Sequence, residues 1–393
     1  MIKYLPLAFL FCFFLIPITT DEGLSVNYSF VIFPFAFILV KGQLQKPARY
    51  AVVAFILFTA IFFVGILNNL FENINLITRA LISFLIFISA LLFSFVSYKD
   101  NIIISFKWAI VLTSIYFSLN SINKFIKLDT SDLGLIKELI GSQRTGFIHS
   151  MAIFLILIPN KNFKLKDVFK YSLLLIILIG LFLTFSRTPI ISLVLTYLIL
   201  SFSSFKFQRL LMPKWYFNLV FLSLATALFI LLLYILIPDI FLFFNERLIE
   251  KFFLSPSQDA ILNPETSEGT RVEIWKTILN YCILHPVQGS GYLGAYVLES
   301  KIVFGSSHSQ YMDVLLRTGF IGVLFYFFLI YRTAIEVYKV DKSLFWGFIS
   351  ILIYGLFHET FKESQGGFIF AFLFGYGSYH HTKRVILKSN KWI

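Results

Sequence analysis

Long apolar runs recur along the chain, separated by short polar connections. A helix needs about 20 apolar residues to cross a bilayer. Twelve candidate spans fall near residues 4–20, 24–40, 50–68, 76–98, 101–119, 146–159, 168–186, 188–205, 216–238, 312–331, 344–358 and 366–381. The sixth is short, and the fifth carries Lys107, which has to snorkel or face protein. Of the 393 residues, 58% are hydrophobic and 14% are charged, against roughly 25% charged in soluble domains. A soluble core is excluded. The expected fold is an all-α polytopic membrane protein of about twelve transmembrane helices. Residues 1–238 hold nine of them. Residues 239–311 form one large loop with short helices, and 312–393 add three spans and a tail.

A net charge of +12 is a common mark of nucleic-acid binding, but here its distribution points to the membrane. Lys41, Lys46, Arg49, Lys99, Lys161, Lys164, Lys166, Lys206, Arg209, Lys214, Arg332, Lys339 and Lys342 all fall in alternate short loops. The loops between them read "DEG", "NLFENIN", "SRT" and "HETFKESQ", with Arg187 and Lys362 as their cations. The positive-inside rule then puts both termini in the cytoplasm and the large loop outside. The N-terminal "MIKYLPLAFLFCFFLIPITT" lacks a small-x-small cleavage site and is expected to stay as the first span. Cys12 and Cys282 form neither a disulfide framework nor a metal site.

Inside the large loop, "TSEGTRVEIWKTILNYCILHP" opens with capping residues and stops before Pro286, which predicts a helix. "NERLIEKFF" has helical spacing as well, and "PVQGSGYLGAY" reads as a glycine-rich turn.

Cations on the outer side stand against the general bias. Arg187 lies in a very short connection, "LTFSRTPII", where a planar guanidinium suits phosphate oxygens, either of a substrate or of a lipid headgroup. Arg144 precedes the sixth span, with His149 one turn into it. Arg271 and Trp275 share a helix face at i, i+4, a pairing suited to a sugar phosphate and equally to packing. His308 follows "GSS"; an imidazole can take a proton near neutral pH, as activation of a sugar hydroxyl requires. Asp313 and Arg317 are spaced as an internal helix ion pair. Gly319 and Gly322 are read as permitting close helix packing. There is no P-loop, no dinucleotide fingerprint, no HExxH and no convincing metal site, so no cofactor is expected.

Four segments, "RTGFIHSMA", "LTFSRTPIISLVL", "GTRVEIWKTILNYCILHPVQGSGYLGAY" and "HSQYMDVLLRTGFIG", together resemble the O-antigen ligase/O-antigen polymerase (Wzy-type) family of bacterial membrane glycosyltransferases. The matching positions are Arg271, Trp275, Pro286, Gly289 and Gly291, then His308 with Gly319 and Gly322 at +11 and +14. The resemblance covers roughly residues 130–335. Where the family commonly has His-Asn, this chain has His308-Ser309.

The resemblance implies a GT-C-like helical enzyme of the bacterial inner membrane. Such an enzyme takes a glycan from undecaprenyl diphosphate on the periplasmic side without a metal, with inversion. It implies Arg187, Arg271 and Arg144 on the diphosphate, His308 as the catalytic base, and Trp275, Tyr292 and His149 along the substrate path. The partners implied are the lipid-linked oligosaccharide, membrane lipid, a flippase and a chain-length regulator. Polymerase is favoured over ligase. The double arginine-x10-glycine pattern of some polymerases is missing, since Cys282 and Leu155 stand eleven residues after Arg271 and Arg144, which keeps the ligase in play. A secondary transporter also suits twelve spans, but the two halves share no repeat.

Overall fold

A computed structural model describes residues 5–15, 46–69, 81, 84, 92–126, 146–160, 163, 166–184, 186–203, 267–298, 307–361 and 364–389. The ordered elements are helices α1 (Leu5–Leu15), α2 (Arg49–Asn69), α3 (Asp100–Ile126), α4 (Gly146–Leu157), α5 (Asp167–Phe182), α6 (Arg187–Ser203), α7 (Ser267–Leu284), α8 (Gln310–Val340), α9 (Lys342–Tyr354) and α10 (Ser364–Ser389). Short 3-10 turns lie at Phe93–Phe95 and Gly294–Val297. No strand occurs among the described residues, which carry one isolated bridge, Asn160 to Phe163. The all-helical expectation holds. Among the described residues, three helices have the length and apolarity to cross a membrane: Arg49–Leu67, Asp100–Ile126 and Gln310–Val340. The expected spans at 24–40 and 216–238, most of that at 76–98, and the "NERLIEKFF" segment lie outside the described residues. The count of twelve stays a proposal.

The chain divides into two units. The first takes residues up to Phe106, Asn263–Phe345 and Gly355–Ile393. There α8 packs against α10, α7 and α2, and α10 against the Phe93–Phe95 turn. Its core is aromatic. Phe106 stacks on Phe372 with centroids 3.8 Å apart, and Phe14 and Phe93 meet Phe368 edge-on at 5.8 and 5.5 Å. Such pairs add about 0.5–1.5 kcal/mol each beyond the area they bury. The second unit takes Lys107–Leu262 and Trp346–Tyr354. Within it α4 packs on α5 and α6, and every residue of α4 is buried.

Two differences from the sequence reading are local. The cation-bearing stretch 332–343 is not a loop: α8 runs to Val340, and Asp341 alone separates it from α9. Hydropathy finds the part of a helix that lies in hydrocarbon and ends where polar residues begin, although the helix continues. Gly319 is also not a helical packing position. Its φ of 67° and ψ of −173° break α8, a conformation open essentially to glycine.

Candidate active site

The break at Gly319 sets the geometry of the first unit's polar region. A broken helix leaves carbonyls without intrahelical partners. Here the glycine-rich turn after α7 supplies them: the Ser290 N–H donates to the Leu316 carbonyl at 2.7 Å and the Tyr292 N–H to the Arg317 carbonyl at 3.0 Å. In return the Phe320 N–H donates to the Pro286 carbonyl at 2.8 Å. The two backbones approach so closely that a Cβ at Gly289 would lie 2.5 Å from the Leu316 oxygen, and one at Gly319 would lie 2.6 Å from the Pro286 oxygen. Gly289 and Gly319, two of the glycines that carry the family resemblance, are thus the two sides of one backbone junction. The Cys282 thiol donates to the Leu315 carbonyl at 3.5 Å beside it, and burial pushes this thiol up to about 11.

Arg317 ties the same junction with its side chain. Its Nε donates to Asp313 Oδ2 and its Nη1 to the Tyr292 carbonyl, both at 2.7 Å. The expected i, i+4 ion pair is present, and it bolts α8 to the turn. The Tyr292 ring is buried, with Phe84 and Phe62 edge-on at 5.4 and 6.1 Å.

His308 sits one residue before the N-cap of α8, Ser309. Among the described residues, the non-glycine positions with positive φ are His308 (53°) and Tyr292 (74°). Both were candidates from the sequence. A left-handed backbone costs a side-chain-bearing residue of order 1–3 kcal/mol and persists only where its surroundings hold it.

The holders lie on both sides of His308. The Trp275 indole N–H of α7 donates to the Ser307 carbonyl at 2.9 Å. Glu359 Oε1 accepts from the Ser307 N–H at 2.5 Å and from its hydroxyl at 2.7 Å. Beyond His308, the Gln310 N–H donates to the Gly355 carbonyl at 2.8 Å, and Gln310 Oε1 accepts from the Phe361 N–H at 2.7 Å. The half-buried His308 side chain is therefore presented by a turn fixed to α7 and to the 355–361 segment. Trp275 and His308 are brought together through Ser307. Arg271 lies half-buried one turn before Trp275 on α7.

Glu359 was missed in the sequence. It stands in the connection "HETFKESQ", 51 residues beyond His308, with no motif around it. Its burial, at 7% exposure, is the structural signal.

The second unit holds the other candidates. Arg187 is the first residue of α6 and is half-buried. Thr184 and Ser186 are buried before it, and the Thr184 hydroxyl donates to the Leu181 carbonyl at 2.7 Å. A helix start and a guanidinium both favour an anion. His149 is buried in α4, with Nδ1 2.8 Å from the Ser114 hydroxyl. Arg144 lies outside the described residues. Among the described residues no group of His, Cys, Asp or Glu is arranged to hold a metal ion.

Residues 172–327, from α5 into α8, match the family model described as O-antigen ligase. The match takes in Arg187, Arg271, Trp275, Tyr292 and His308. This segment is therefore similar to the O-antigen ligase family. No curated protein matches the chain. The O-antigen ligase segment covers less than half of the chain and stops short of Glu359. The match supports a ligase- or polymerase-type function for this segment.

Proposed function

We propose that the chain polymerises lipid-linked oligosaccharide repeat units of a bacterial surface polysaccharide, on the periplasmic side of the inner membrane. The donor is a glycan on undecaprenyl diphosphate. An acceptor sugar hydroxyl attacks the anomeric carbon, and the bond from that carbon to the diphosphate oxygen breaks. His308 takes the hydroxyl proton, a role that demands a base within hydrogen-bond reach. The electron pair leaves with undecaprenyl diphosphate, and attack opposite the leaving group inverts the anomeric centre. Arg271 and Arg187 each offer a fixed cation to the developing diphosphate charge, the kind of preorganised stabilisation that needs no metal. Arg144 adds to them, and Trp275, Tyr292 and His149 line the sugar path. Glu359 is a positioning residue that acts through Ser307.

The observation that carries this reading is the held, left-handed His308 within the O-antigen ligase segment. Backbone strain clusters at functional sites, and here the strained turn carries a histidine fit for proton transfer.

The family description itself favours a second reading, transfer of the finished glycan to lipid A–core. One gel of lipopolysaccharide or capsule glycan from a strain lacking the gene separates the two. Polymerase loss leaves core plus one repeat. Ligase loss leaves naked core, with polymer still on undecaprenyl diphosphate. An unchanged pattern would refute both and restore the transporter.

A further inference from the structure

The far end of α8 carries a charge cluster that the transfer reaction does not use. Glu336, 2% exposed, is its centre. Its own helix supplies Arg332 Nη2 at 3.9 Å and Lys339 Nζ at 3.4 Å from Oε1. From α10, His381 Nδ1 lies 3.3 Å from Oε1 and Arg384 pairs with Oε2. Three permanent cations thus face one carboxylate, which leaves two positive charges unbalanced whatever the state of His381. Among the described residues, no acid of a neighbouring element forms an ion pair with these three cations. Arg49 opens α2 and is exposed, and the next residue, Tyr50, lies under the Arg332 guanidinium at 5.4 Å. Lys342 opens α9 with its ammonium over Tyr338 at 5.6 Å, and Lys383 of α10 is exposed. Asp341 is buried and occupied, its Oδ1 accepting from the Ser343 N–H and hydroxyl and the Leu344 N–H. Asp100, at the start of α3, is exposed.

The cluster also has a direction. Leu324, Phe328 and Arg332 follow one another at i, i+4, i+8 along α8, then Glu336 and Lys339. Leu324 and Phe328 are 69% and 41% exposed, and Tyr331 beside them is 62% exposed. One stripe therefore begins as outward-facing apolar surface and ends in cations, on a helix long enough to span a bilayer. The shape complements an amphiphile, with acyl chains along the apolar part and a phosphate at the end. The cations keep donors for it. Arg332 and Lys339 stand farther from Glu336 than the 2.7–2.9 Å of a tight charge-assisted bond. The Arg332, Lys339 and Arg384 side chains are 27%, 48% and 39% exposed. A zwitterionic head brings its own ammonium into an already positive site; an anionic head does not.

We infer that Arg332, Lys339 and Arg384 form a binding site for the headgroup phosphate of an anionic phospholipid, at the end of α8 opposite His308. The charge bias of the loops makes this the cytoplasmic leaflet.

The test uses the full-length protein in nanodiscs that mix phosphatidylglycerol and phosphatidylcholine, with retained lipid counted by native mass spectrometry. Wild type is expected to retain phosphatidylglycerol preferentially, and Arg332→Gln and Lys339→Gln each to cut that preference by about five-fold, the effect of one surface cation. If Arg332→Gln does not fold, Lys339→Gln, whose side chain is half exposed, carries the test together with the wild-type lipid comparison. Equal retention of the two lipids by wild type, or an undiminished preference in the variants, would overturn the site. Displacement of phosphatidylglycerol by millimolar inorganic phosphate would overturn the lipid assignment in favour of a free anion.

Discussion

The two ends of α8 are built on opposite principles. At the His308 end each described polar bond closes on a neighbour. Asp313 holds Arg317, Arg317 holds the Tyr292 carbonyl, and Glu359 and Trp275 hold Ser307. At the other end one buried carboxylate pairs with Arg384 and faces Arg332 and Lys339 at looser range. Beyond the break at Gly319, residues 320–340 correspond to roughly 31 Å of helix, close to the hydrocarbon thickness of about 30 Å. One end keeps a strained turn in a fixed place, as proton transfer demands. The other leaves charge over for something outside the protein. The same helix thus serves as a rigid mount at one surface and an open electrostatic contact at the other.

That contrast can be broken at its strongest joint first. Arg317→Ala strands the buried Asp313 carboxylate and frees the Tyr292 carbonyl. Losing one partner of a buried pair costs about 3–5 kcal/mol, so thermal unfolding of the purified protein should fall sharply. The paired neutral variant Asp313→Asn/Arg317→Gln should recover part of the loss. A cost below about 1 kcal/mol for Arg317→Ala would mean that this end is no tighter than the other.

Gly319→Ala comes next. It places a methyl at φ 67° and against the Pro286 oxygen, which should cost at least about 2 kcal/mol. The same melting measurement reads it, and a neutral result would mean that the break in α8 is not needed. The smallest effect belongs to the loose end. Lys339→Gln removes a half-exposed cation 3.4 Å from Glu336 and should shift stability by no more than about 0.5 kcal/mol. A large loss there would erase the difference between the ends.

Much of the mount was legible in the sequence. The helix from Ser267 to Leu284, its stop before Pro286, the turn after it and the Asp313–Arg317 pair follow from helical periodicity, capping and i, i+4 spacing, which are local rules. What escaped is what joins distant segments. Gly319 in an apolar run looks like a packing position, because nothing in its neighbours tells that the Pro286 carbonyl will claim the Phe320 N–H. Glu359 looks like an ordinary loop carboxylate until the fold folds it onto Ser307. The cations at 332, 339 and 384 were readable as a topological signal, but the single acid among them, Glu336, gained meaning once α10 was seen beside α8. Arg187 was read as part of a very short connection, and it is instead the first residue of α6.

His308 is the proposed proton acceptor in glycan transfer. The most direct measurement is the surface-glycan gel of the deletion strain complemented with wild type, with His308→Ala or with Glu359→Gln, at membrane levels matched by immunoblot. Base catalysis contributes typically 10²–10⁴-fold, so His308→Ala at wild-type abundance should reproduce the deletion pattern. Glu359→Gln, which keeps an acceptor for Ser307, should restore shortened ladders. A full ladder from His308→Ala would contradict the assignment.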